Sequence, residues 1–140
     1  MTAAQHRAWL KFTAIGIGLF GPVLSLAAIP GLGGLAHWSL DLLAWPLDGG
    51  QTLDGDGARF LAAISGGFLL GLAVIVWCLA SLVHERAPEP VRRTVVAGLL
   101  AWCLVDSAGS IAAGHASNAG FNLILLLVLV GPLWWPARGD

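Results

Sequence analysis

The chain has 140 residues, of which 57% are hydrophobic and only 11% are charged. Soluble globular domains carry charge at about a quarter of their positions, so this composition excludes an ordinary soluble fold and favours a membrane protein. The formal net charge is -1, and the seven Lys and Arg residues form no dense basic cluster. Nucleic-acid binding needs such a cluster, so a nucleic-acid partner is excluded.

The first predicted helix covers residues 9–29 and follows a basic segment that contains Arg7 and Lys11. A basic start before an apolar run is also typical of a secretory signal peptide. However, this run is about 18 residues long and no small-residue cleavage site follows it. We therefore expect a retained membrane helix, kinked at Pro22.

A short amphipathic helix is predicted next, over residues 35–45. Apolar side chains recur there at helical spacing, at Leu35, Trp38, Leu42 and Trp45. Because polar residues lie between them, this pattern is typical of a helix in the membrane interface. The next segment, residues 48–57, is rich in Gly and Asp and predicts an exposed loop.

Three further membrane helices are predicted over residues 58–83, 91–114 and 117–135. The first of them carries Ala63, Gly67 and Gly71 at four-residue spacing. This small-xxx-small pattern allows transmembrane helices to approach closely, so we expect it to form a packing face. The segment between the first two of these helices holds two prolines and several arginines, and predicts a compact turn.

The basic residues predict the orientation of the chain in its membrane. In a four-span topology they fall on one side: Arg7, Lys11, Arg86, Arg92, Arg93 and Arg138. The opposite side carries Asp48, Asp54 and Asp56, with Arg59 as its only base. By the positive-inside rule, we expect both termini in the cytoplasm of a bacterium and the chain in its inner membrane.

Asp106 is the main functional clue, because it lies well inside the third predicted span. Insertion scales give a cost of about 2.5–3.5 kcal/mol for Asp at a helix centre. We therefore expect the carboxylate to face the bundle interior, to have a polar partner, or to be protonated. The predicted polar cluster comprises Arg59, Ser65, Asp106, Ser110, Asn118 and Asn122.

This predicted cluster has two interpretations. The first is an interhelical clamp, in which Arg59 pairs with Asp106 while the Asn and Ser side chains donate hydrogen bonds and fix the helix register. The second is a site for a small or lipophilic ligand, or for a proton, open towards the periplasm.

Other reactive residues give no catalytic or metal motif. Cys78 and Cys103 lie in separate predicted helices and form no CxxC pair. The four histidines are expected at the membrane surfaces, with His6 and His84 on the inner side and His37 and His115 on the outer side. We interpret His37 and His115 as neutral surface residues that do not share a metal ion. The sequence therefore predicts no catalytic residue, no metal site and no cofactor.

Three segments together resemble small uncharacterised proteobacterial membrane proteins of the broad DoxX-like type. They are Arg59 at the start of a helix, the run Gly66–Gly71, and Asp106–Ser110 after a basic turn. The similarity covers mainly residues 58–136. It implies a four-helix bundle in the bacterial inner membrane, sometimes linked to redox or stress systems, and it transfers no catalytic residues.

Taken together, the patterns predict an all-α protein with a single membrane domain over residues 1–140. We expect an integral four-helix bundle with an interfacial helix between its first two spans. The expected partners are the lipid bilayer and either further copies of the chain or a larger membrane complex. The predicted function is that of a non-enzymatic accessory or scaffold subunit. The alternative is binding or transport of a small lipophilic ligand or ion at the predicted cluster.

Overall fold

The computed structural model describes residues 1–137, which contain α-helices and no β-strand, so the predicted all-α class is confirmed. The helices are α1 (Ala3–Leu26), α2 (Gly34–Ala44), α3 (Asp56–Cys78), α4 (Pro88–Ala112) and α5 (Ala116–Val130). A π-helical turn, Leu79–Val83, extends α3, and a 3-10 turn, Gly131–Trp134, extends α5. Four helical segments are long and apolar enough to cross a membrane: Ala3–Leu26, Asp56–Val83, Pro88–Ala112 and Ala116–Trp134.

Two helices begin earlier than the apolar runs predict. In α1, Thr2 and Gln5 form a capping box in which each side chain accepts a hydrogen bond from the other residue's backbone amide. This cap starts the helix at Ala3, ahead of the apolar run. In α4, Pro88 lies in the first helical turn, where its missing amide hydrogen leaves no intrahelical bond unmade. The α3–α4 turn is therefore confined to residues 84–87.

Helix α1 packs most extensively against α3. Their backbones come closest where Gly21 meets Gly66, because a Cβ built on Gly66 would lie 2.5 Å from the Gly21 carbonyl oxygen. Ala62 and Ala73, on the same side of α3, are also buried. Only a residue without a side chain fits at Gly66 without moving α1 away.

The small residues that were expected to form a packing face point elsewhere. Gly67 and Gly71 are exposed, and a Cβ added at either position would contact nothing within 4 Å. The chain uses the neighbouring face of α3, which contains Gly66, to contact α1. We call the unused surface, formed by Ala63, Gly67 and Gly71, the open glycine face.

Helices α4 and α5 form a second pair, and the two pairs share one core. Each long helix contributes buried apolar residues to it, including Leu10 from α1, Val76 from α3, Leu99 from α4 and Leu126 from α5. A smaller cluster of Ala27, Ala36 and Ala62 joins α2 to α1 and α3. Helix α2 therefore lies at one end of the four long helices.

The charged residues separate to the two ends of the molecule. The basic end contains Arg7, Lys11, Arg86, Arg92 and Arg93, where the start of α1 meets the α3–α4 turn and the 3-10 turn. The acidic end contains Asp48, Asp54 and Asp56 and lies beside α2. Arg138, which the charge pattern also assigned to the basic side, lies outside the described residues.

Candidate functional site

The polar residues around Asp106 continue the inward-facing stripes of α4 and α5. On α4, Val95, Leu99 and Cys103 are buried at four-residue spacing, and Asp106 lies one turn later. On α5, Leu126 is preceded one turn earlier by Asn122. Because these helices run antiparallel through a short connection, their polar ends meet. The Asp106 cluster comprises Asp106, Ser107, Ser110, Asn118 and Asn122.

Asp106 is held by neutral donors. Its Oδ1 accepts a hydrogen bond from Ser110 Oγ at 3.3 Å and a longer one from Asn118 Nδ2 at 3.5 Å. The Asn118 Nδ2 also donates to Ser110 Oγ at 2.8 Å, which closes a triangle between the two helices. Removing the carboxylate would therefore leave one interhelical hydrogen bond of this triangle in place.

A second interhelical bond lies one turn further into the bundle. Asn122 is 2% exposed, and its Nδ2 donates to Ser107 Oγ at 3.2 Å. Cys103 Sγ lies 4.0 Å from the same hydroxyl. The hydrogen bond between Asn122 and Ser107 fixes the register of α5 against α4. Asn122 needs such a partner because its side chain is buried.

The outer part of the cluster remains open. Asp106 and Asn118 are only half-buried, although Asn118 Oδ1 is itself inaccessible and accepts no hydrogen bond. Within residues 1–137, no Lys, Arg or His pairs with Asp106. The cluster thus offers the half-buried carboxylate of Asp106, an acceptor, to whatever covers it.

The structure brings four of the six predicted cluster residues together and leaves two apart. Asp106, Ser110, Asn118 and Asn122 meet in the Asp106 cluster. The expected Arg59–Asp106 ion pair is wrong, because Arg59 Nε donates to the Leu53 carbonyl oxygen at 3.2 Å. The physical reason is the helix pairing. Arg59 is on α3, which packs against α1, whereas Asp106 is on α4, which packs against α5.

Ser65 also lies outside the cluster. It is on α3 and is exposed, one residue before the glycine that contacts α1. Ser107 takes part in its place, through its bond to Asn122. Its position beside Asp106 and one turn after Cys103 was a usable sequence signal for this role.

The α2 region connects to the Asp106 cluster through α5. Ser117 Oγ donates to the Leu43 carbonyl oxygen at 2.7 Å, which ties the start of α5 to the end of α2. His37 Nε2 accepts from the Leu53 amide at 3.2 Å, and Asp41 Oδ2 accepts from the Gly49 amide at 3.0 Å. These side chains order the acidic loop, so they have a structural role at this end.

A pair of buried histidines at the basic end was not expected from the sequence. His6 and His84 are each 2% exposed, and the Nε2 atom of each has no hydrogen-bond partner. His84 comes directly after the π-helical turn, and its amide donates to the Leu79 carbonyl oxygen. A π turn adds a residue to the helix and rotates the residues beyond it, so it places His84 against α1. A simple helical count places both histidines near the inner membrane surface and does not predict their burial.

An ion pair lies beside His84. Arg7 Nη1 donates to Glu85 Oε1 and links α1 to the α3–α4 turn. His84 lies outside the membrane-length segments. Burial lowers the pKa of its imidazole, the positive charge of Arg7 lowers it further, and Glu85 opposes the shift. His84 is therefore neutral at pH 7.

Arg92 connects the start of α4 to the end of α5. Its guanidinium makes paired contacts with Glu89, at 2.7 and 2.6 Å, and its Nη1 donates to the Leu133 carbonyl oxygen at 2.6 Å. Arg93 contacts the same carboxylate at 2.6 Å but is largely exposed. Arg92 therefore closes the bundle at the basic end, whereas Arg93 is a solvent-facing partner.

Comparisons with protein families, with curated proteins and with solved structures find no match for this chain. Over residues 1–137, no three His, Cys, Asp or Glu side chains meet in an arrangement that could hold a metal ion. The arrangements on which a function can be argued are therefore the open glycine face, the Asp106 cluster and the histidine pair.

Proposed function

We propose that the chain is a multi-pass protein of the bacterial inner membrane, with four spans and both termini in the cytoplasm. The four long apolar segments support the spans. The separation of charge supports the orientation, because the basic end would face the cytoplasm under the positive-inside rule. Trp38 and Trp45, both more than half exposed, support a position for α2 in the outer interface.

We further propose that this protein is a non-enzymatic scaffold or accessory subunit that associates with a second copy of itself through the open glycine face. One observation carries this proposal. Gly67 and Gly71 form a GxxxG pair on an apolar helix, and both face open space although the adjacent Gly66 face is fully used by α1.

The energetics of helix packing in lipid favour an occupied glycine face. Lipid chains are as apolar as side chains, so helices associate through close van der Waals contact and not through the hydrophobic effect. Glycine destabilises a helix interior by about 1 kcal/mol relative to Ala. The cost of two exposed glycines one turn apart is offset when a partner backbone packs closely against them. The α3 helix of a second copy presents the same surface, so the contact can be symmetric.

Native mass spectrometry from a mild detergent tests this association. We expect the wild-type chain to appear as a dimer and the double variant Gly67→Leu with Gly71→Leu to appear as a monomer. Gly98→Leu is the matched control, because Gly98 is also an exposed helical glycine with open space around it but lies on α4. It should leave the dimer intact.

A monomeric wild-type protein in several mild detergents would contradict the proposal. Equal loss of the dimer in the Gly98→Leu control would also contradict it, because the effect would then reflect any bulky residue on the lipid-facing surface. A helical circular dichroism spectrum for each variant establishes that the change of mass is not caused by unfolding.

A second candidate function is the binding of a small lipophilic ligand or ion at the Asp106 cluster, from the periplasmic side. The observation in its favour is the half-buried Asp106 carboxylate, whose two hydrogen bonds within residues 1–137 both go to Oδ1 and leave Oδ2 as an acceptor. A ligand with a hydrogen-bond donor, such as a lipid or a reduced quinone, would bind to it. Transport by such a site would require association of several chains, because transporters are usually built from repeated helical units.

The same native spectra test this second candidate. A lipid or quinone that remains with the wild-type protein and with Asp54→Leu, but is lost from Asp106→Leu, would support ligand binding. Spectra in which all three proteins carry the same bound molecules, or none, would reject it and leave the cluster as an interhelical clamp.

We also propose that the chain is related to the DoxX-like membrane proteins. This relationship is supported by the all-helical architecture and by the four membrane-length segments. It adds no residue role to those argued above.

A further inference from the structure

We propose that His6 and His84 form a proton-binding site that releases the start of α1 from the α3–α4 turn when the basic end is acidified. This site is separate from the open glycine face and from the Asp106 cluster. Its ligand is the proton, and its response is a local opening of the bundle.

The two histidines are buried without partners at Nε2. Each residue is 2% exposed, and both Nε2 atoms are inaccessible and unbonded. A buried polar atom normally has a hydrogen-bond partner, since desolvation without one is unfavourable. The folded state therefore holds both Nε2 atoms where an added proton would meet neither water nor a hydrogen-bond acceptor.

Several charged groups lie around the two histidines. His6 precedes Arg7 and His84 precedes Glu85, and the Arg7–Glu85 ion pair holds these two segments together at the basic end. The charged groups around them come from α1, the α3–α4 turn and α4: the N-terminal amino group, Arg7, Glu85, Glu89 and Arg92. Glu85 is already paired with Arg7, and Glu89 with Arg92, so each carboxylate balances a new positive charge only in part.

The surface of the protein gives a proton a route to His84. A surface pocket of about 220 Å³ lies over His84, between α1 and the α3–α4 turn. It is lined by Ala3, Ala4, Arg7, Glu85 and Pro88 in addition to His84. The pocket is wide enough to admit water as far as His84. Opening the Arg7–Glu85 contact would expose the His84 imidazole further.

The direction of the pH effect is set by linkage between protonation and opening. The unfolded chain takes up a proton at His84 as the pH falls through the ordinary value of 6.5, whereas the folded chain resists until a lower pH. The free energy of opening is therefore greatest above pH 6.5 and decreases as the pH falls below it. In this window, the population of the open state rises by up to about tenfold per pH unit for His84.

Hydrogen exchange on the full-length protein in detergent tests the proposal, with rates corrected for the intrinsic effect of pH. Between pH 7.5 and pH 5.5, we expect protection to fall at residues 3–10 and 79–87 by at least severalfold, while residues 99–105 of α4 remain protected. His84→Gln should abolish this local loss. His115→Gln, a histidine at the other end of the molecule, should retain it.

Unchanged protection at residues 3–10 in the wild-type protein would overturn the proposal, as would an undiminished loss in His84→Gln. If His84→Gln fails to fold, NMR titration of the His84 imidazole in the wild-type protein decides the question. A pKa below 6.5 that coincides with the local opening supports the site, and a pKa at or above 6.5 contradicts it.

Discussion

Asp106 is bound by hydroxyl and amide donors with no cation among the described residues, and this determines its expected response to substitution. Asn keeps the shape and one acceptor oxygen of Asp106, so Ser110 and Asn118 retain a partner. We expect the free energy of unfolding of Asp106→Asn to lie within about 0.5 kcal/mol of the wild-type value, because the interhelical hydrogen bonds are kept. Asp106→Leu should be less stable by about 1 kcal/mol, the usual size of interhelical hydrogen bonds in membranes.

Thermal unfolding in one detergent, with helical content as the signal, measures this difference. Asp54→Asn and Asp54→Leu form the matched control pair, because Asp54 lies in the exposed acidic loop. If Asp106→Leu is as stable as Asp106→Asn, the carboxylate is not part of an interhelical clamp.

Arg92 and Arg93 are adjacent arginines that contact the same carboxylate, but only Arg92 connects two helices. Its side chain is 12% exposed and bonds to the Leu133 carbonyl oxygen, whereas that of Arg93 is 75% exposed. We expect Arg92→Gln to lower the free energy of unfolding by about 1.5–3 kcal/mol, as for a bond to a charged donor. Arg93→Gln should change it by less than about 1 kcal/mol, as for an exposed ion pair.

Chemical denaturation of the two variants side by side gives this comparison. Hydrogen exchange at residues 131–134 adds a local signal, because loss of the Arg92 contact should expose the 3-10 turn. Equal destabilisation by both substitutions would show that the shared contact to Glu89, and not the bond to Leu133, is what matters.

At the scale of helices, neighbouring glycines of α3 are expected to have opposite roles. Gly66 touches the α1 backbone, and a larger residue there must separate the two helices. We expect Gly66→Leu to prevent folding or to lower stability by several kcal/mol, as overpacking does in a core. Gly67→Leu should leave the monomer folded, because its side chain would enter open space.

The yield of folded monomer, measured by gel filtration and helical circular dichroism, distinguishes these two variants. Each replaces Gly by Leu on the same helix, so the gain in helix propensity is shared. Similar folding of the two variants would refute the assignment of the Gly66 face to α1.

The sequence predicted the long helices well, but it did not predict which of their faces pack together. The long segments were accessible to sequence reasoning because membrane length and apolar character are local properties. The start of α1 at Ala3 was missed, although Thr2 and Gln5 have the spacing of a capping box. Which face of α3 contacts α1 depends on the approach of a distant backbone, so the stripe containing Gly67 was as plausible as that containing Gly66.

At the scale of the whole molecule, the contrast between local sequence signals and non-local packing explains which parts of the candidate sites could be predicted. Four members of the predicted cluster meet because α4 and α5 are joined by a short connection, which makes them neighbours. Arg59 was misassigned because helix order along the chain does not specify lateral packing. The buried position of His84 depends on a π turn, and no residue pattern in that segment indicated it.

The central proposal is that two copies of the chain associate through the open glycine face. Cross-linking in native membranes tests this association most directly. In a background with Cys78→Ser, which removes the exposed thiol and leaves the buried Cys103, Gly71→Cys places a small reactive residue in the proposed interface. Gly98→Cys places the same residue on α4, away from it.

We expect mild oxidation to convert the Gly71→Cys variant to a disulfide-linked dimer and to leave the Gly98→Cys variant monomeric. Absence of a dimer from Gly71→Cys, or equal dimer from both variants, would contradict the proposal.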